Sequence, residues 1–289
     1  GPLACRCAGA GENEEQSMTG KELGERLRGG ERVYGTSIVS SSPHWPPAVH
    51  QTGLDFVFLD TEHITQDRVV LSWMCRTYRA LGIAPVVRIP RADPYLACQV
   101  LDGGACGIVA AYVETPEEAR ALAGATKYRP LKGARLEQVL RNPASLAPEM
   151  AAYVRERCAD NVLIVNIESV PAMDNLDAIL AVPGLDGVLV GPHDMTCNIG
   201  VPEQYQHPEF ERAIGALIAK ARAANVGVGV HFFWDTIEQE VAWAKAGANL
   251  MLHSGDISLF SKALSADIDH LKKALGDTLA AGGGDELIV

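Results

Sequence analysis

Short apolar runs alternate with amphipathic segments along most of the chain. The runs are rich in Val, Ile and Leu, which is typical of strands that are buried on both faces of a parallel sheet. They predict strands over 33–39, 55–60, 84–89, 107–112, 162–168, 187–191, 226–231 and 249–253. The intervening segments have helical spacing and predict helices over 20–28, 44–52, 67–81, 93–103, 116–126, 146–158, 173–182, 208–224, 235–246 and 256–276. Eight strands joined by helical crossovers predict an α/β fold, the closed (β/α)8 TIM barrel.

Local signals at the helix ends agree with this alternation. Thr115 precedes Pro116 and two acidic residues, which is the pattern of an N-cap followed by a proline at the first helical position. Gly82 and Gly247 follow predicted helices in the manner of C-caps. A doubly wound sheet is the alternative fold, but it requires a glycine-rich phosphate-binding turn after the first strand. The segment that begins at Gly35 is not such a turn.

One barrel domain is predicted over 18–276, and it begins with the short helix at 20–28. Residues 1–17 are rich in Gly, Glu and Ala and are predicted to form a flexible N-terminal extension. The end of the chain, 277–289, contains three consecutive glycines and is predicted to be a flexible tail.

The composition restricts the class of partner. The chain has 289 residues and a formal net charge of −11, which argues against nucleic acid or an anionic membrane surface as a partner. No apolar run has the length of a transmembrane helix, and the beginning of the sequence lacks the apolar region of a signal peptide. Five of the seven cysteines fall in predicted helices or strands, or beside them, which favours reduced thiols and a cytoplasmic location over a disulfide framework.

Two acidic residues, Glu168 and Asp194, follow the apolar runs of two successive predicted strands. A carboxylate at that position is costly inside a core, but a cation can pair with it at the mouth of a barrel. Two oxygen ligands with open positions for substrate and water suit Mg²⁺ or Mn²⁺ better than a structural zinc site. The alternative is that each acid caps the helix that follows its strand.

Further polar residues come at the ends of other predicted strands, and together they form five ordered motifs. The motifs are Asp60-Thr-Glu-His63, Val87-Arg88-Ile-Pro90, Gln99-Val-Leu-Asp-Gly-Gly-Ala105, Asn166-Ile-Glu168-Ser and Gly191-Pro-His-Asp194-Met. Over about residues 30–265 this pattern resembles the HpcH/HpaI aldolases, class II pyruvate aldolases of the phosphoenolpyruvate/pyruvate barrel superfamily.

The resemblance implies a metal site and a set of catalytic residues. Glu168 and Asp194 would ligate a divalent metal, Mg²⁺ in the first place and Mn²⁺ or Co²⁺ as alternatives, which chelates a 2-oxo acid of the pyruvate or oxaloacetate type. Arg88 would contact the enolate oxygen, and His63, oriented by Asp60, would transfer protons through a metal-bound water. The alternatives are an ion pair of Arg88 with one of the nearby acids and a hydrogen-bonded loop role for His63.

The resemblance and the sequence also predict a substrate-binding set. The backbone around Gly191 and Pro192 would line the pyruvate pocket, with Gln99 and Asn166 nearby. Trp45 follows the first predicted strand and is predicted to cover the pocket mouth, although an aromatic residue at this position usually packs against its neighbours.

The activity that this implies is metal-dependent carbon–carbon cleavage of a 4-hydroxy-2-oxo acid to pyruvate and an aldehyde through a pyruvate enolate. Asn166 stands where the family has Gln, the end of strand 4 at Tyr112 differs from the usual Pro-Met-Val, and Leu136 replaces a loop glycine. These changes fall on the side of the cup that would hold the acceptor aldehyde. Oxaloacetate decarboxylation, enolate capture as in macrophomate synthases, and a non-catalytic barrel that binds metal and a 2-oxo acid therefore stay open.

The resemblance further implies a homo-oligomer, a trimer or hexamer, in which C-terminal helices are exchanged between subunits. The predicted helix at 256–276 has an apolar stripe that suits such an exchange, although the stripe would equally suit packing on its own barrel. The stripe consists of Leu259, Phe260, Leu264, Ile268 and Leu271.

Overall fold

The computed structural model describes residues 17–234 and 236–277. The predicted extension at 1–17 and tail at 277–289 therefore lie, except for their innermost residues, outside the described part of the chain. The described residues form a closed barrel in which eight parallel strands pair in sequence order, as predicted. The strands are β1 (Val33–Ser37), β2 (Phe56–Asp60), β3 (Ala84–Ile89), β4 (Gly107–Ala110), β5 (Val162–Asn166), β6 (Gly187–Val190), β7 (Gly227–Phe232) and β8 (Leu250–Gly255).

Helices surround this barrel and follow the strands in the order that a (β/α)8 fold requires. They are α1 (Gly20–Gly29), α2 (Trp45–His50), α3 (Arg68–Ala80), α4 (Pro94–Gly103), α5 (Pro116–Lys127), α6 (Gly133–Arg141), α7 (Pro148–Arg157), α8 (Val170–Asp174), α9 (Leu176–Leu180), α10 (Pro192–Asn198), α11 (Pro208–Ala223), α12 (Ile237–Ala246) and α13 (Asp256–Leu275). Among the described residues, no helix combines the length and the apolarity needed to span a bilayer.

The interior of the barrel has an apolar layer below a polar layer. Phe58 and Val86 belong to the inner apolar cluster, which α1 closes from the amino-terminal side with Leu23 and Leu27. Because side chains alternate along a strand, Asp60, two residues beyond Phe58, lies on the same inward face. The carboxyl ends of the strands therefore carry polar side chains above an apolar floor, which is the position of the active site in (β/α)8 enzymes.

The structure differs from the predicted elements in several places. The segment predicted as one helix at 173–182 is divided into α8 and α9. Neither α6 nor α10 was predicted, because α6 lies in a segment interpreted as a loop and α10 is too short for a helical period. Predicted strand 5 is also two residues too long, since β5 ends at Asn166 and leaves Glu168 in the loop that follows.

The last helix, α13, hardly packs on its own barrel. Asp256 is its only buried residue, and Phe260 in the middle of the apolar stripe is 59% exposed. An apolar groove remains over β1 and β8, beside α2 and α12, where the last helix of such a barrel would ordinarily lie.

Candidate active site at the carboxyl ends of the strands

Glu168 is buried in the loop after β5, with only 3% of its surface exposed. The main-chain N–H of Tyr112 donates to Oε1 at 2.7 Å, and Nδ2 of Asn166 donates to Oε2 at 3.0 Å. A Cβ atom at position 191 would lie 1.9 Å from Oε2, so only glycine leaves room for this carboxylate. Three neighbours therefore hold Glu168 in one place.

The pKa of Glu168 is raised to about 7, mainly by burial and further by the charges of Asp194 and Glu62, against the lowering effect of the Tyr112 hydrogen bond and of Arg88. The charge of Asp194 contributes to the raised pKa of Glu168, which indicates that the two predicted metal ligands lie in the same region of the structure. Asp194 is half-buried and is the third residue of α10, whose N-terminal N–H groups favour a negative charge.

The alternative role of the two acids as helix caps does not match the structure. The cap of α8 is Ser169, whose Oγ accepts from the main-chain N–H of Ala172 at 3.2 Å. The cap position of α10 is Gly191. Neither Glu168 nor Asp194 occupies a cap position, so both carboxylates are available for another partner.

Arg88 belongs to the polar layer and is held by two carboxylates. Residues 60 and 88 are direct cross-strand neighbours in the pairing of β2 with β3, so both side chains stand on the inner face. Arg88 donates to Asp60 through Nε at 2.8 Å and through Nη2 at 2.6 Å, and its Nη1 lies 3.2 Å from Oε2 of Glu62. The ion pair that the sequence left as an alternative role of Arg88 is therefore present, and it fixes the plane of the guanidinium.

Burial alone would raise the pKa of Asp60, but its hydrogen bonds and charge interaction with Arg88 lower it overall. Burial raises the pKa of Glu62, and the charges of Asp60 and Asp194 add to that effect, while Arg88 opposes it. Asp60 is therefore the counter-ion of Arg88, and Glu62 is a further carboxylate of the site that sequence reasoning did not assign.

His63 lies at the rim of the site with its side chain 54% exposed. Its Nε2 is 3.7 Å from Oε2 of Glu62, while Asp60 accepts from the main-chain N–H of His63 at 3.4 Å. Asp60 thus contacts the backbone of His63, and Glu62 is the carboxylate beside the imidazole ring. The predicted orientation of the ring by Asp60 is not what the structure shows, because Arg88 already occupies both oxygens of Asp60.

The donor set fits a hard divalent cation. The site contains four carboxylates, those of Asp60, Glu62, Glu168 and Asp194. Besides His63 at the rim, Arg88 is the residue whose positive charge acts to lower the pKa of Asp60, Glu62 and Glu168. In the described residues no group of three or more His, Cys, Asp and Glu side chains is placed to hold a metal. Two carboxylates are fewer than such a group, and with positions left for substrate and water they would suit Mg²⁺-type coordination.

The structure brings only part of the predicted substrate-binding set to this site. Asn166, Gly191 and Pro192 adjoin the carboxylates, and Oδ1 of Asn166 is buried with no hydrogen-bond partner in the described residues. Gln99 instead lies in a cleft between α4 and α6 outside the barrel. Trp45 lines the apolar groove beside α13. The substrate-binding role predicted for Gln99 and Trp45 is therefore not supported by their positions, since both face helices rather than the inside of the barrel.

Tyr112 is a second residue that sequence reasoning did not assign to the site. It follows β4, and its only signal in the sequence was the departure from the family pattern at the end of that strand. His231 is buried near the end of β7, where its Nε2 lies 3.3 Å from the main-chain oxygen of Ser254. Burial lowers the pKa of His231 to about 4, with the Arg88 charge adding to the effect, so the ring is neutral.

Comparisons with known proteins agree with the resemblance seen in the sequence. The family model described as HpcH/HpaI aldolase/citrate lyase matches residues 38–262. The chain is 32% identical over 249 residues to the 2-keto-3-deoxy-L-rhamnonate aldolase of Salmonella dublin, covering 86% of this chain and 92% of that protein. It is 33% identical over 241 residues to the aldolase of the same name from Shigella sonnei, covering 83% and 89%.

A solved structure shows the same architecture. The crystal structure of the HpcH/HpaI aldolase from Desulfitobacterium hafniense DCB-2 matches with a TM-score of 0.74 and 26% identity over 87% of this chain and 96% of that chain. Together with the family match over most of the barrel, this similarity identifies the chain as a member of the HpcH/HpaI aldolase/citrate lyase family and as a lyase of the class II aldolase type.

Proposed function

We propose that the protein cleaves a 4-hydroxy-2-oxo acid to pyruvate and an aldehyde, with a divalent metal held by Glu168 and Asp194. The observation that carries the proposal is a buried carboxylate beside a second acid and a fixed guanidinium at the carboxyl ends of the strands. The substrate named for the relatives, 2-keto-3-deoxy-L-rhamnonate, belongs to the 2-oxo acids, which supports this substrate class.

The metal, Mg²⁺ in the first place and Mn²⁺ or Co²⁺ as alternatives, would supply Lewis-acid polarisation of the 2-oxo group. Arg88 supplies a second positive charge that is already oriented by Asp60 and Glu62, so no reorganisation is needed when negative charge develops on the enolate oxygen. Asn166 and the backbone at Gly191 line the space beside Glu168, where the carboxylate end of a 2-oxo acid would lie.

Cleavage also requires a group that accepts the proton of the 4-hydroxyl. We assign this role to His63, because its half-exposed ring lies at the rim, where Nε2 is 3.7 Å from Oε2 of Glu62. The proton leaves the 4-hydroxyl, the C3–C4 electron pair becomes the enolate, and the aldehyde departs. Return of a proton to C3 then gives pyruvate and restores the base.

Exchange of the pyruvate methyl protons for deuterium tests this proposal without an aldehyde. Wild-type protein with Mn²⁺ or Mg²⁺ is expected to catalyse the exchange, and the isosteric variants Glu168→Gln and Asp194→Asn are expected to lose it because the metal is no longer held. Asp174→Asn, an exposed acid on α8, is the matched control and should retain full exchange. Exchange that survives in both site variants contradicts the assignment, and silence of the wild type favours the non-catalytic metal- and 2-oxo-acid-binding barrel.

The same preparation separates the alternative reactions. Oxaloacetate reaches the pyruvate enolate by loss of CO2 and needs no base for a 4-hydroxyl. His63→Ala is therefore expected to reduce aldol cleavage while leaving any oxaloacetate decarboxylation largely unchanged, and pyruvate release from each substrate measures the two activities. An equal loss of both activities would contradict the role assigned to His63.

We also propose that the protein is a homo-oligomer, a trimer or hexamer, in which α13 of one copy covers the groove over β1 and β8 of another. The exposed stripe of α13 and the groove are both apolar, and Leu259 and Phe260 of the stripe also line one end of the groove. Phe260→Asp is expected to lower the oligomeric state measured by light scattering. The control Ser265→Asp adds the same charge on another face of the helix and should leave the assembly unchanged; unchanged mass in Phe260→Asp would contradict the exchange.

The cytoplasmic location is proposed from the thiols. The cysteines of the described residues are free, and Cys75, Cys106 and Cys158 are buried. Burial raises the pKa of the Cys75 thiol to about 12, so this group behaves as an inert apolar side chain. Free buried thiols support a reducing compartment.

A further inference from the structure

Tyr112 connects the segments that hold the two acids. Its φ of +53° lies in the left-handed region, which non-glycine residues rarely adopt and which is enriched at functional sites. In this conformation its main-chain N–H donates to Oε1 of Glu168 at 2.7 Å. The side chain is 43% exposed, which leaves it accessible to a molecule in the mouth of the barrel.

The phenol of Tyr112 extends from the end of β4 to α10, the helix that follows β6. Nδ2 of Asn198 donates to the phenol oxygen at 3.2 Å and to the main-chain oxygen of Asp194 at 3.1 Å. The strands β4, β5 and β6 are consecutive neighbours in the barrel. A side chain that extends from the end of β4 to the helix after β6 therefore passes over the end of β5, where Glu168 lies.

The hydrogen bond from Asn198 determines which further hydrogen bond the phenol can form. The phenol oxygen accepts from the amide, so the phenolic hydrogen remains free to be donated. Tyr112 is exposed, whereas Asn166 beside Glu168 is buried, so the phenol marks the outer side of the site and Asn166 the inner side. The aldehyde half of the substrate occupies this outer side if the 2-oxo acid half lies inside.

We infer that Tyr112 is a specificity-determining residue that donates a hydrogen bond to a hydroxyl group on the aldehyde half of the substrate. The preferred electrophile of the condensation is accordingly a hydroxyaldehyde rather than an apolar aldehyde. This inference rests on the proposed function, since it assigns the outer part of the same site.

Two aldehydes of equal size test the inference. Glycolaldehyde and propionaldehyde differ by a hydroxyl in place of a methyl group, and each is condensed with pyruvate by the wild type and by Tyr112→Phe. The phenylalanine keeps the ring and the N–H that Glu168 accepts. Since one hydrogen bond is lost, kcat/KM for glycolaldehyde is expected to fall by about 2- to 12-fold, and that for propionaldehyde should stay within about twofold. Tyr153→Phe, an exposed tyrosine on α7, is the control.

Deuterium exchange of pyruvate, measured on the same variants, separates the possible outcomes. Exchange in Tyr112→Phe that equals the wild-type rate, together with the selective loss for glycolaldehyde, supports the inference. An equal loss for both aldehydes, a loss of exchange, or no change at all overturns it. Absence of exchange in the wild type overturns the proposed function itself, and it is recognised separately because that assay contains no aldehyde.

Discussion

Replacement of Gly191 by alanine tests how tightly Glu168, the carboxylate proposed to bind the metal, is held in place. The backbone at this position has φ −82° and ψ 102°, values that alanine adopts without strain. The added Cβ would lie 1.9 Å from Oε2 of Glu168 and 3.1 Å from its Cδ. The variant therefore acts on Glu168 through space and leaves the chemistry of the carboxylate unaltered.

The size of the effect follows from these distances. Oε2 has to retreat by about 1.1 Å to reach even a 3.0 Å separation, and its 3.0 Å bond from Asn166 cannot survive that movement. A buried polar group left unsatisfied costs about 1–3 kcal/mol, which lowers Tm by about 2–5 °C for a chain of 289 residues. Displacement of a ligand is expected to weaken metal binding by about 10- to 100-fold or more, as loss of a supporting contact does in other metal sites.

Calorimetric titration with Mn²⁺ measures the affinity, and thermal unfolding in the presence of a chelator measures the stability. Gly215→Ala is the matched control, because nothing lies within 4 Å of the added atom and alanine favours the helix α11 by up to about 1 kcal/mol. Metal affinity in Gly191→Ala within threefold of the wild type would refute the reasoning, because it would mean that Glu168 either moves freely or does not bind the ion.

Two further predictions concern the polar layer. Arg88→Lys cannot form the bidentate contact with Asp60, so kcat for aldol cleavage is expected to fall by about 100- to 1,000-fold. The control Arg91→Lys changes an exposed arginine and should keep the wild-type rate. Comparable steady-state rates in both variants would contradict a fixed guanidinium at the enolate. For His231, burial sets the folded pKa to about 4 against an ordinary value of 6.5, so the unfolded chain binds the extra proton and the free energy of unfolding decreases as pH falls from 6.5 towards 4. The shift in pKa corresponds to a loss of about 3 kcal/mol in the free energy of unfolding at the acidic end of this range. Urea unfolding at several pH values should show this pH dependence for the wild type and a smaller one for His231→Asn. An equal pH dependence in both proteins would contradict the buried neutral ring.

The sequence predicted the strands because each is a continuous apolar run, which is the signature of a strand buried between the barrel interior and a helix. It did not predict α6, since the resemblance favoured a loop at that segment. The structure gives a packing reason for the helix: Leu136 and Leu140 of α6 lie over Gly124 of α5, where an added Cβ would approach both to within 3.2 Å. That contact depends on two segments at once, and no local pattern records it.

The motifs at strand ends predicted the centre of the site, while Gln99 and Trp45 were misplaced for a physical reason. Residues at the end of a strand or just beyond it are positioned by the barrel geometry, so the motifs predicted that Arg88 and Glu168 lie at the same end of the barrel, while the role of Arg88 came from the resemblance. A residue inside a helix, such as Gln99, faces the direction that the helix packing sets, and the sequence contains no signal for that direction. The role of Tyr112 was not predicted, because its left-handed backbone interrupts the alternation of side chains that β4 begins.

The charge balance links the ion pair of Arg88 with the need for a metal. Asp60 contacts the guanidinium through both oxygens and has a lowered pKa, so the positive charge of Arg88 is largely compensated by one acid. Glu62 and Glu168 then remain as carboxylates whose pKa burial raises, and Asp194 adds its charge to both. An arginine that served only as the partner of Asp60 would leave this excess of negative charge unexplained. A divalent cation held by Glu168 and Asp194, as proposed, would compensate this excess and would supply, with Arg88, a second positive charge for the oxygen of an enolate.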